Sequence, residues 1–411
     1  MKLHIVGGFL GSGKTTAITN AAKVLITGGK KVGVITNDQG KYQVDTKFIA
    51  ANNIPSEEVI NGCFCCNFDS LSDKIEHLNQ NSQPDYIFAE SVGSCTDLVA
   101  TVIKPLMIFK KEIFDGLTFS IFADARVLLS YLKGDKLPFS DDIVYIFGKQ
   151  IEEADLLIVN KIDLVPKTDL LELKKLVDEK LSGKVIICQD SSNLQNIENW
   201  LDTLESLIPR KRNSLEIDYQ SYGKGEADLT WLDEEINFSS DKSEAGECAI
   251  RFIENVVNDI KKKKIPVGHL KFMLLNGEQF QKISFTSIID EDWKKNITPV
   301  SSNLVKLMVN ARIETSPDVA RLIIRDGITS VSDNGVVVSE SNEVAFQPKF
   351  PNPTHRITKA MPCCDECVCI KKLIERNAAR LADGSSAALS ELENEEFECL
   401  CDNSEGESCC C

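Results

Sequence analysis

A glycine-rich loop near the amino terminus has the spacing of a phosphate-binding motif. Gly8-Phe9-Leu10-Gly11-Ser12-Gly13-Lys14-Thr15-Thr16 follows an apolar run over 3–6 and precedes a helix-like segment over 17–25. Backbone N–H groups of such a loop close around phosphate oxygens, and the positive end of the following helix adds to the attraction. Lys14 would reach the terminal phosphates and neutralise their charge, and Thr15 would offer its hydroxyl to Mg²⁺. The sequence therefore predicts a nucleotide site with Mg²⁺.

A second motif points to the base of the nucleotide. Asn160-Lys161-Ile162-Asp163 comes directly after the apolar run 155–159. The Asp163 carboxylate can accept hydrogen bonds from the N1–H and 2-amino groups of guanine, and adenine lacks these donors. Asn160 and Lys161 would brace the loop and stack along the base. The motif therefore predicts GTP as the bound nucleotide.

Acidic residues follow two of the predicted strands. Asp38 and Asp45, after the run 31–36, are candidates for positioning water or contacting a metal ion, and Asp38 is a candidate catalytic residue. Glu90 ends the apolar run 86–89, in the position where enzymes with such loops carry the acid that holds Mg²⁺. We expect Glu90 to serve both Mg²⁺ binding and catalysis.

Three cysteines lie within four residues. Cys63, Cys65 and Cys66 precede a helix-like run over 68–78 and can converge on one soft or borderline cation. Adjacent cysteines cannot readily both ligate from a regular helix or strand, so the loop must be irregular or one thiol must stay outside the ligand shell. Glu58 or Cys95 could complete that shell. With fifteen cysteines and four histidines in the chain, any metal site must be rich in thiolate.

Alternating apolar runs and amphipathic segments must position these groups. Over 1–209 they predict a doubly wound, mostly parallel α/β sheet that binds ligands at the carboxyl ends of its strands. The predicted strands cover 3–6, 31–36, 86–89, 118–123, 156–160 and 185–188. A smaller ferredoxin-like α/β unit is predicted over 228–330, with strands over 229–238, 268–275, 281–287 and 304–311 and helices over 244–264 and 317–325.

Three further segments separate or follow these units. Residues 210–227 are predicted to be a linker, because they are polar and rich in turn-forming residues. Residues 331–360, rich in Ser, Asn, Pro and Val without a helical period, are predicted to be a hairpin or an extended linker. Residues 361–411 form an acidic tail that holds nine of the fifteen cysteines. Acid and thiol groups together attract cations. The tail is therefore interpreted as a chelating segment, with a redox-active or a merely disordered tail as the alternatives.

Charge and hydropathy exclude some partners. A net charge of −16 argues against nucleic acid or an anionic membrane surface, because both require a basic footprint. No apolar run approaches the ~20 residues of a membrane span, and the first one leads directly into the glycine-rich loop. We therefore expect a cytoplasmic protein with no membrane or nucleic-acid partner.

The motifs occur together in an order that resembles the CobW family of GTPases, relatives of HypB, UreG and the MeaB chaperones. The resemblance implies that Lys14 and Thr15 contact phosphate and Mg²⁺, and that Asn160, Lys161 and Asp163 read guanine. It also implies that Cys63, Cys65 and Cys66 bind a cargo metal, and that a homodimer through the GTPase domain is conceivable. Many relatives carry a histidine-rich stretch, whereas this chain has a cysteine-rich tail.

The resemblance implies a GTP-hydrolysing metallochaperone that carries a transition metal ion, zinc or cobalt, to a client protein. Two alternatives stay open. One is a GTPase chaperone that gates a corrinoid or other metalloenzyme, with the cysteines sensing metal. The other is a metal storage protein in which the tail dominates. The metal and the client are not specified by the residues.

Overall fold

The computed structural model describes residues 1–37, 49–50, 52–60, 62–207, 212–277, 279–289, 292–332 and 335–359. Asp38, Asp45 and the cysteine-rich tail lie outside these residues. Within them the chain forms two sheets, each with helices packed against it. No helix in these ranges has the length and apolar content needed to cross a membrane.

The first sheet has seven strands, all parallel, in the order β3-β2-β4-β1-β5-β6-β7. The strands are β1 (Lys2–Gly8), β2 (Val32–Asn37), β3 (Ser56–Val59), β4 (Tyr86–Glu90), β5 (Gly116–Asp124), β6 (Leu156–Asn160) and β7 (Val185–Gln189). Its helices are α1 (Lys14–Thr27), α2 (Phe68–Ser82), α3 (Lys104–Phe109), α4 (Ala125–Lys133), α5 (Asp141–Glu153), α6 (Lys167–Lys180) and α7 (Leu194–Ser206). This is the predicted doubly wound α/β architecture.

Both faces of this sheet are buried, so its central strands are mostly apolar on both faces, although β1 buries His4 and β5 buries Thr118 and Ser120. In β1, Leu3 and Ile5 belong to one core cluster, while Val6 belongs to the cluster on the opposite face. Trp200 of α7 anchors that second cluster, with its ring centroid 5.8 Å from Phe88 and 5.2 Å from Phe122. All six predicted strands form.

One strand of this sheet was not predicted. β3 reads Ser-Glu-Glu-Val and pairs with β2 alone, at the edge of the sheet. An edge strand with three polar residues in four carries no apolar run, and its pairing is set by its neighbour rather than by its own side chains.

The second sheet is antiparallel, in the order β10-β9-β11-β8-β12. Its elements are β8 (Leu229–Ser240), α9 (Ala245–Lys263), β9 (Val267–Asn276), β10 (Gln279–Phe285), β11 (Leu304–Glu314), α10 (Pro317–Val331) and β12 (Val336–Phe346). Without β10, the order β9-β11-β8-β12 is that of a split β-α-β unit. The ferredoxin-like prediction is confirmed: β12, which was not predicted, is the fourth strand of the unit, and the predicted strand β10 is added at its edge.

Both segments predicted to connect the two units contain regular structure. Helix α8 (Tyr219–Asp228) lies in the first, and its aspartate N-cap, Asp218, accepts a hydrogen bond from the backbone of Gln220. Arg212, just before it, is buried against Asp155 at 2.7 Å. The second contains β12, and residues 347–359 then return to the first sheet. Tertiary contacts order these polar stretches, and composition does not reveal such contacts. The domain boundaries themselves remain predictions.

Candidate functional site

The glycine-rich loop wraps tightly between β1 and α1. Gly8 has φ +123°, and a Cβ atom there would collide with the backbone of Phe122 on β5. Gly13 has φ +94° at the N-cap of α1, where a Cβ would collide with the Asn160 amide. Both positions therefore require glycine. The N-terminus of α1 faces the concave side of this loop, and such an arrangement favours the binding of an anion.

Lys14 and Thr15 point into this loop. The Lys14 ammonium donates to the carbonyl oxygens of Gly8 at 2.7 Å and Phe9 at 3.3 Å. The Thr15 hydroxyl donates to Glu90 Oε1 at 3.0 Å, and both side chains are buried. A hydroxyl and a carboxylate oxygen placed together beside a phosphate loop are the donor set that Mg²⁺ prefers. The predicted Mg²⁺ residues Thr15 and Glu90 are thus brought together.

The motif predicted to read guanine is joined to the glycine-rich loop. Asn160 donates from its amide to the Ser12 carbonyl at 2.7 Å and accepts from the Ser191 backbone and hydroxyl at 3.1 and 2.8 Å. Lys161 has φ +64° and an ammonium 3.2 Å from Asp124, and burial lowers its pKa. Asp163 lies on the following 3-10 turn and is exposed, and partial desolvation raises its pKa.

The three cysteines converge as predicted from their spacing. Their sulfur atoms are separated by 2.8 Å for Cys63 and Cys65, 3.2 Å for Cys63 and Cys66, and 3.7 Å for Cys65 and Cys66. Residues 64–67 form a turn rather than helix or strand, which lets adjacent Cys65 and Cys66 face the same point. Zinc bonded to sulfur at about 2.3 Å in a tetrahedron would hold these atoms about 3.8 Å apart, so a small expansion accommodates the ion.

The surroundings of the three thiols raise their pKa values and so favour the protonated form. Hydrogen bonding to Cys63 raises the pKa of Cys66 to about 12, and hydrogen bonds to its neighbours raise the pKa of Cys65 well above its usual range. Cation binding must therefore release protons. Glu58 is half-buried on β3 and does not belong to the group of described side chains whose ligand atoms lie within 4.8 Å of one another.

Comparison with known proteins agrees with this geometry. The family profile described as "CobW/HypB/UreG, nucleotide-binding domain" matches residues 2–188. The urease accessory protein UreG of Metallosphaera sedula is 32% identical over 194 residues, which cover 44% of this chain and 80% of that protein. The chain belongs to the CobW/HypB/UreG family.

Two further relatives extend the comparison. The zinc chaperone CobW of a Sinorhizobium species is 29% identical over 201 residues, 44% of this chain and 56% of that protein. The chain spans about half the length of the first curated relatives it matches. The crystal structure of Zn(II)-bound YjiA GTPase from Escherichia coli has a TM-score of 0.33 and 14% identity, covering 80% of this chain and 98% of that one.

Asn37 joins the two halves of the site in this CobW-family chain. Its amide donates to the carbonyl oxygens of Val59 at 3.1 Å and Gly62 at 2.7 Å, and its oxygen accepts from the Phe64 backbone at 2.8 Å. It therefore ties the end of β2 to the cysteine loop, directly before Asp38. The only sequence signal for this residue was its position at the end of a predicted strand.

Residues 347–359, which we call the strap, cross over the cysteine loop. The Asn352 backbone N–H donates to Cys66 Sγ at 3.3 Å, and the Thr354 backbone N–H donates to the Cys65 carbonyl at 2.8 Å. The Thr354 hydroxyl donates to the Cys66 carbonyl at 3.0 Å. Sequence reasoning had assigned this segment to a linker, so its contacts with the cysteine loop were missed.

The second sheet forms a wall of the nucleotide site. A cavity of about 770 Å³ opens between the glycine-rich loop and strands β9 and β10, large enough for a nucleotide. Its basic lining residues are Lys14, Arg126, Lys161, Lys271 and Lys282, together with His269. The last three belong to the second sheet and were not predicted as site residues.

Arg312 of β11 fastens this sheet to the first. Its side chain is fully buried, donates to the Ser94 hydroxyl at 2.9 Å and lies 3.9 Å from Glu226. Its guanidinium carbon lies 4.5 Å from the ring centroid of Trp231. The wall of the cavity is therefore held by a buried cation rather than by surface contacts.

Proposed function

We propose that this chain is a GTP-hydrolysing metallochaperone of the cytoplasm. It binds GTP at the glycine-rich loop, holds a thiophilic divalent cation at Cys63, Cys65 and Cys66, and delivers that ion to a client protein. The observation that carries the proposal is the convergence of three sulfur atoms within 4.8 Å on a loop bonded to Asn37, which lines the same cavity as Lys14 and Thr15.

The nucleotide half of the proposal assigns each polar residue a role. Asp163 selects guanine, Asn160 and Lys161 brace its loop, and Gly8, Gly11, Ser12, Gly13 and Thr16 belong to the phosphate cradle. Lys14 neutralises charge as water attacks the terminal phosphate and GDP leaves with free phosphate. Bound Mg²⁺, held by Thr15 and Glu90, would supply further charge neutralisation. Asp38 and Asp45 are proposed to position water and contact metal.

The kind of cation that is carried follows from the chemistry of the thiolate ligands. Thiolates favour zinc, cobalt and softer ions over Mg²⁺ or Ca²⁺. The CobW relative is named a zinc chaperone, which supports zinc, and cobalt suits the same tetrahedral thiolate set. The client would be a metalloprotein.

GTP and metal are proposed to bind cooperatively. GTP would hold the cysteine loop in its metal-binding arrangement through Asn37, and hydrolysis would loosen that loop and release the ion. Linkage requires that the metal tighten GTP binding by the same factor.

A competition titration tests this coupling. The protein is the full-length chain with its nine tail cysteines (363, 364, 367, 369, 399, 401, 409, 410 and 411) replaced by serine, which we call the tail-serine protein. Zn²⁺ or Co²⁺ is titrated anaerobically against a chelator, with Mg²⁺ and either a non-hydrolysable GTP analogue or GDP. We expect affinity at least about tenfold higher with the analogue, about 1.4 kcal/mol. Equal affinities would contradict nucleotide-controlled delivery.

The nine cysteines of the acidic tail favour a second candidate, metal storage. In that case the chain with an intact tail would bind several ions whether or not Lys14 is changed to alanine, and the tail-serine protein would lose nearly all of its capacity. A delivery protein would instead keep one ion in the tail-serine protein and lose nucleotide control in Lys14→Ala.

A further inference from the structure

A lysine of the second sheet faces the glycine-rich loop across the nucleotide cavity. Side chains alternate along β9, so Leu270 and Phe272 join the core beneath α9 and α10 whereas Lys271 lies on the opposite face. On that face Lys271 lines the same cavity as Lys14 and Glu90. A cation from outside the first sheet is therefore directed at the space where the terminal phosphates of a nucleotide would lie.

Two contacts seat the second sheet on the phosphate end of this cavity. A Cβ on Gly11 would collide with the Thr286 side chain and come within 3.1 Å of the Gly268 carbonyl oxygen, so the glycine-rich loop touches the second sheet directly. Arg312 of β11 donates to Ser94, on the loop that follows β4, at 2.9 Å. The sheet thus rests on both loops to which we assign the terminal phosphates and Mg²⁺.

Strand pairing gives the distance from the Gly11 contact to Lys271. The ladder pairs Lys271 of β9 with Ser284 of β10. Thr286, which lies against Gly11, comes two residues after Ser284, a distance of about 7 Å in extended chain. The flexible four-carbon stem of a lysine covers a distance of this order. The Lys271 ammonium can therefore reach a phosphate held in the glycine-rich loop.

The strand that carries Lys271 is held by buried hydrogen bonds beside it. Its pairing partner on β11 is Asn310. Asn310 donates to Asp233 at 2.7 Å and accepts from His269 Nε2 at 2.7 Å, and all three side chains are buried. A charge carried on such a fixed base needs little reorganisation when it meets its ligand.

The charges around the cavity favour a strongly anionic ligand. Among the described residues that line it, five are lysine or arginine and Glu90 is the one carboxylate. This balance is the reverse of that of the whole chain, whose net charge is −16. Cations gathered in a cleft attract anions, and in phosphoryl transfer they stabilise the charge on the transferred group.

We propose that Lys271 binds the terminal phosphate of GTP and is a catalytic residue of the GTPase, supplied by the second sheet. The proposal rests on the proposed function, since it requires GTP at the glycine-rich loop. Hydrolysis joins the water oxygen to the terminal phosphorus, breaks the bond from that phosphorus to the bridging oxygen, whose electron pair stays with GDP, and releases one proton to solvent. The Lys271 ammonium stabilises the negative charge on the terminal phosphate oxygens during this exchange. GDP lacks that phosphate, so its contact with Lys271 is lost.

Turnover and affinity are measured on the full-length chain and its Lys271→Ala variant. We expect kcat for GTP hydrolysis to fall about 100-fold and affinity for a non-hydrolysable GTP analogue to fall about tenfold. Affinity for GDP should stay unchanged, which also shows that the nucleotide site has folded. Lys271→Arg keeps the charge and should keep most of the affinity for the analogue. Lys262→Ala is the matched control, because Lys262 is exposed on α9, on the other side of the sheet.

A measurement on the unchanged protein guards against a variant that fails to fold. Lysines are modified with an amine-reactive reagent, and the rate at each position is followed by mass spectrometry. The GTP analogue with Mg²⁺ should slow modification of Lys271 several-fold relative to GDP and leave Lys262 unaffected. Equal rates for Lys271 in the two states would overturn the proposal, as would an unchanged kcat in Lys271→Ala. An equal loss of affinity for the analogue and for GDP would also overturn it.

A separate variant distinguishes this failure from failure of the proposed function. Lys14→Ala should weaken GTP binding whether or not Lys271 touches the nucleotide. If Lys14→Ala loses GTP while Lys271→Ala keeps full turnover, the glycine-rich loop stands as the GTP site and the role of Lys271 is wrong. If Lys14→Ala also binds and hydrolyses GTP normally, the nucleotide site itself is wrong.

Discussion

The phosphate half and the cysteine half of the site are built in different ways. The phosphate half is a continuous loop of nine residues whose shape depends on its own glycines and on the strands beside it. The cysteine half is held by Asn37, Asn352 and Thr354, which are spread over more than three hundred residues. A contiguous site can be recognised from its residues alone, whereas an assembled site depends on the whole fold.

The largest expected effect tests whether the two halves are separable. Lys14→Ala should weaken GTP binding by about 100-fold or more, because the buried ammonium is the only part of its loop that carries a full positive charge. Calorimetric titration with GTP measures the loss. Lys23→Ala, exposed on the same helix, is the control.

The affinity of Lys14→Ala for Zn²⁺ without nucleotide should equal that of the unchanged protein. A large loss of zinc affinity would mean that the cysteine half depends on the phosphate half even before nucleotide binds, and the contrast between them would fail.

The next largest expected effect concerns the recognition of the guanine base by Asp163. Asp163→Asn should lower the preference for GTP over ATP by about 100-fold, because an amide presents a donor to the N1–H of guanine. Competition of unlabelled nucleotides against a fluorescent guanine nucleotide measures it. Xanthosine triphosphate, whose 2-oxo group accepts a hydrogen bond, should gain affinity. Asp178→Asn on α6 should leave the order of preference unchanged.

Glu153, which lies near the cysteine half of the site, makes the free energy of unfolding depend on pH. It accepts from the Thr96 hydroxyl at 3.1 Å and the Val99 backbone at 3.2 Å, and burial raises its pKa from 4.5 to about 8. Between these values the folded state binds a proton that the unfolded state has lost, so stability falls as pH rises from about 4.5 to 8. The slope for this group is about 1 kcal/mol per pH unit.

Glu153→Gln should remove that slope, which urea unfolding at several pH values measures. The exposed neighbour Glu152 gives the control variant, Glu152→Gln. An unchanged slope in Glu153→Gln would assign the pH dependence to another group.

The smallest effect concerns the strap. Thr354→Val removes the hydroxyl that donates to the Cys66 carbonyl and should lower the free energy of unfolding by about 1 kcal/mol. Zinc affinity should fall a few-fold, because the cysteine loop loses part of its support. Thr358→Val, exposed farther along the strap, should do neither. A Thr354→Val protein with unaltered zinc affinity would show that the strap covers the loop without shaping it.

Most of the features formed by residues close together in the chain could be predicted from the sequence. The glycine-rich loop, the Asn160 motif, the six apolar strands and the convergence of Cys63, Cys65 and Cys66 could be read because type and spacing carry the signal. β3 was missed because an edge strand needs no apolar run. The strap was missed because a polar, proline-rich stretch without periodicity describes a linker and a tertiary strap equally well.

The site residues on the second sheet were missed for a different reason. Lys271 and Lys282 alternate with apolar residues as any exposed lysines on a strand would. Nothing in that pattern tells that the sheet faces the nucleotide cavity. Only the placement of one sheet against the other reveals it, and a single sequence holds no record of that placement.

Arg312 has a consequence for how this protein can be divided. A cut between the two sheets would leave a guanidinium without Ser94 and Glu226 on one fragment, and expose the loop that carries Ser94 and Cys95 on the other. A chimaera that borrows a second sheet from another family member must therefore bring a cation at this place, or be given an apolar pair instead. The buried charge of Arg312 therefore makes the two sheets depend on each other.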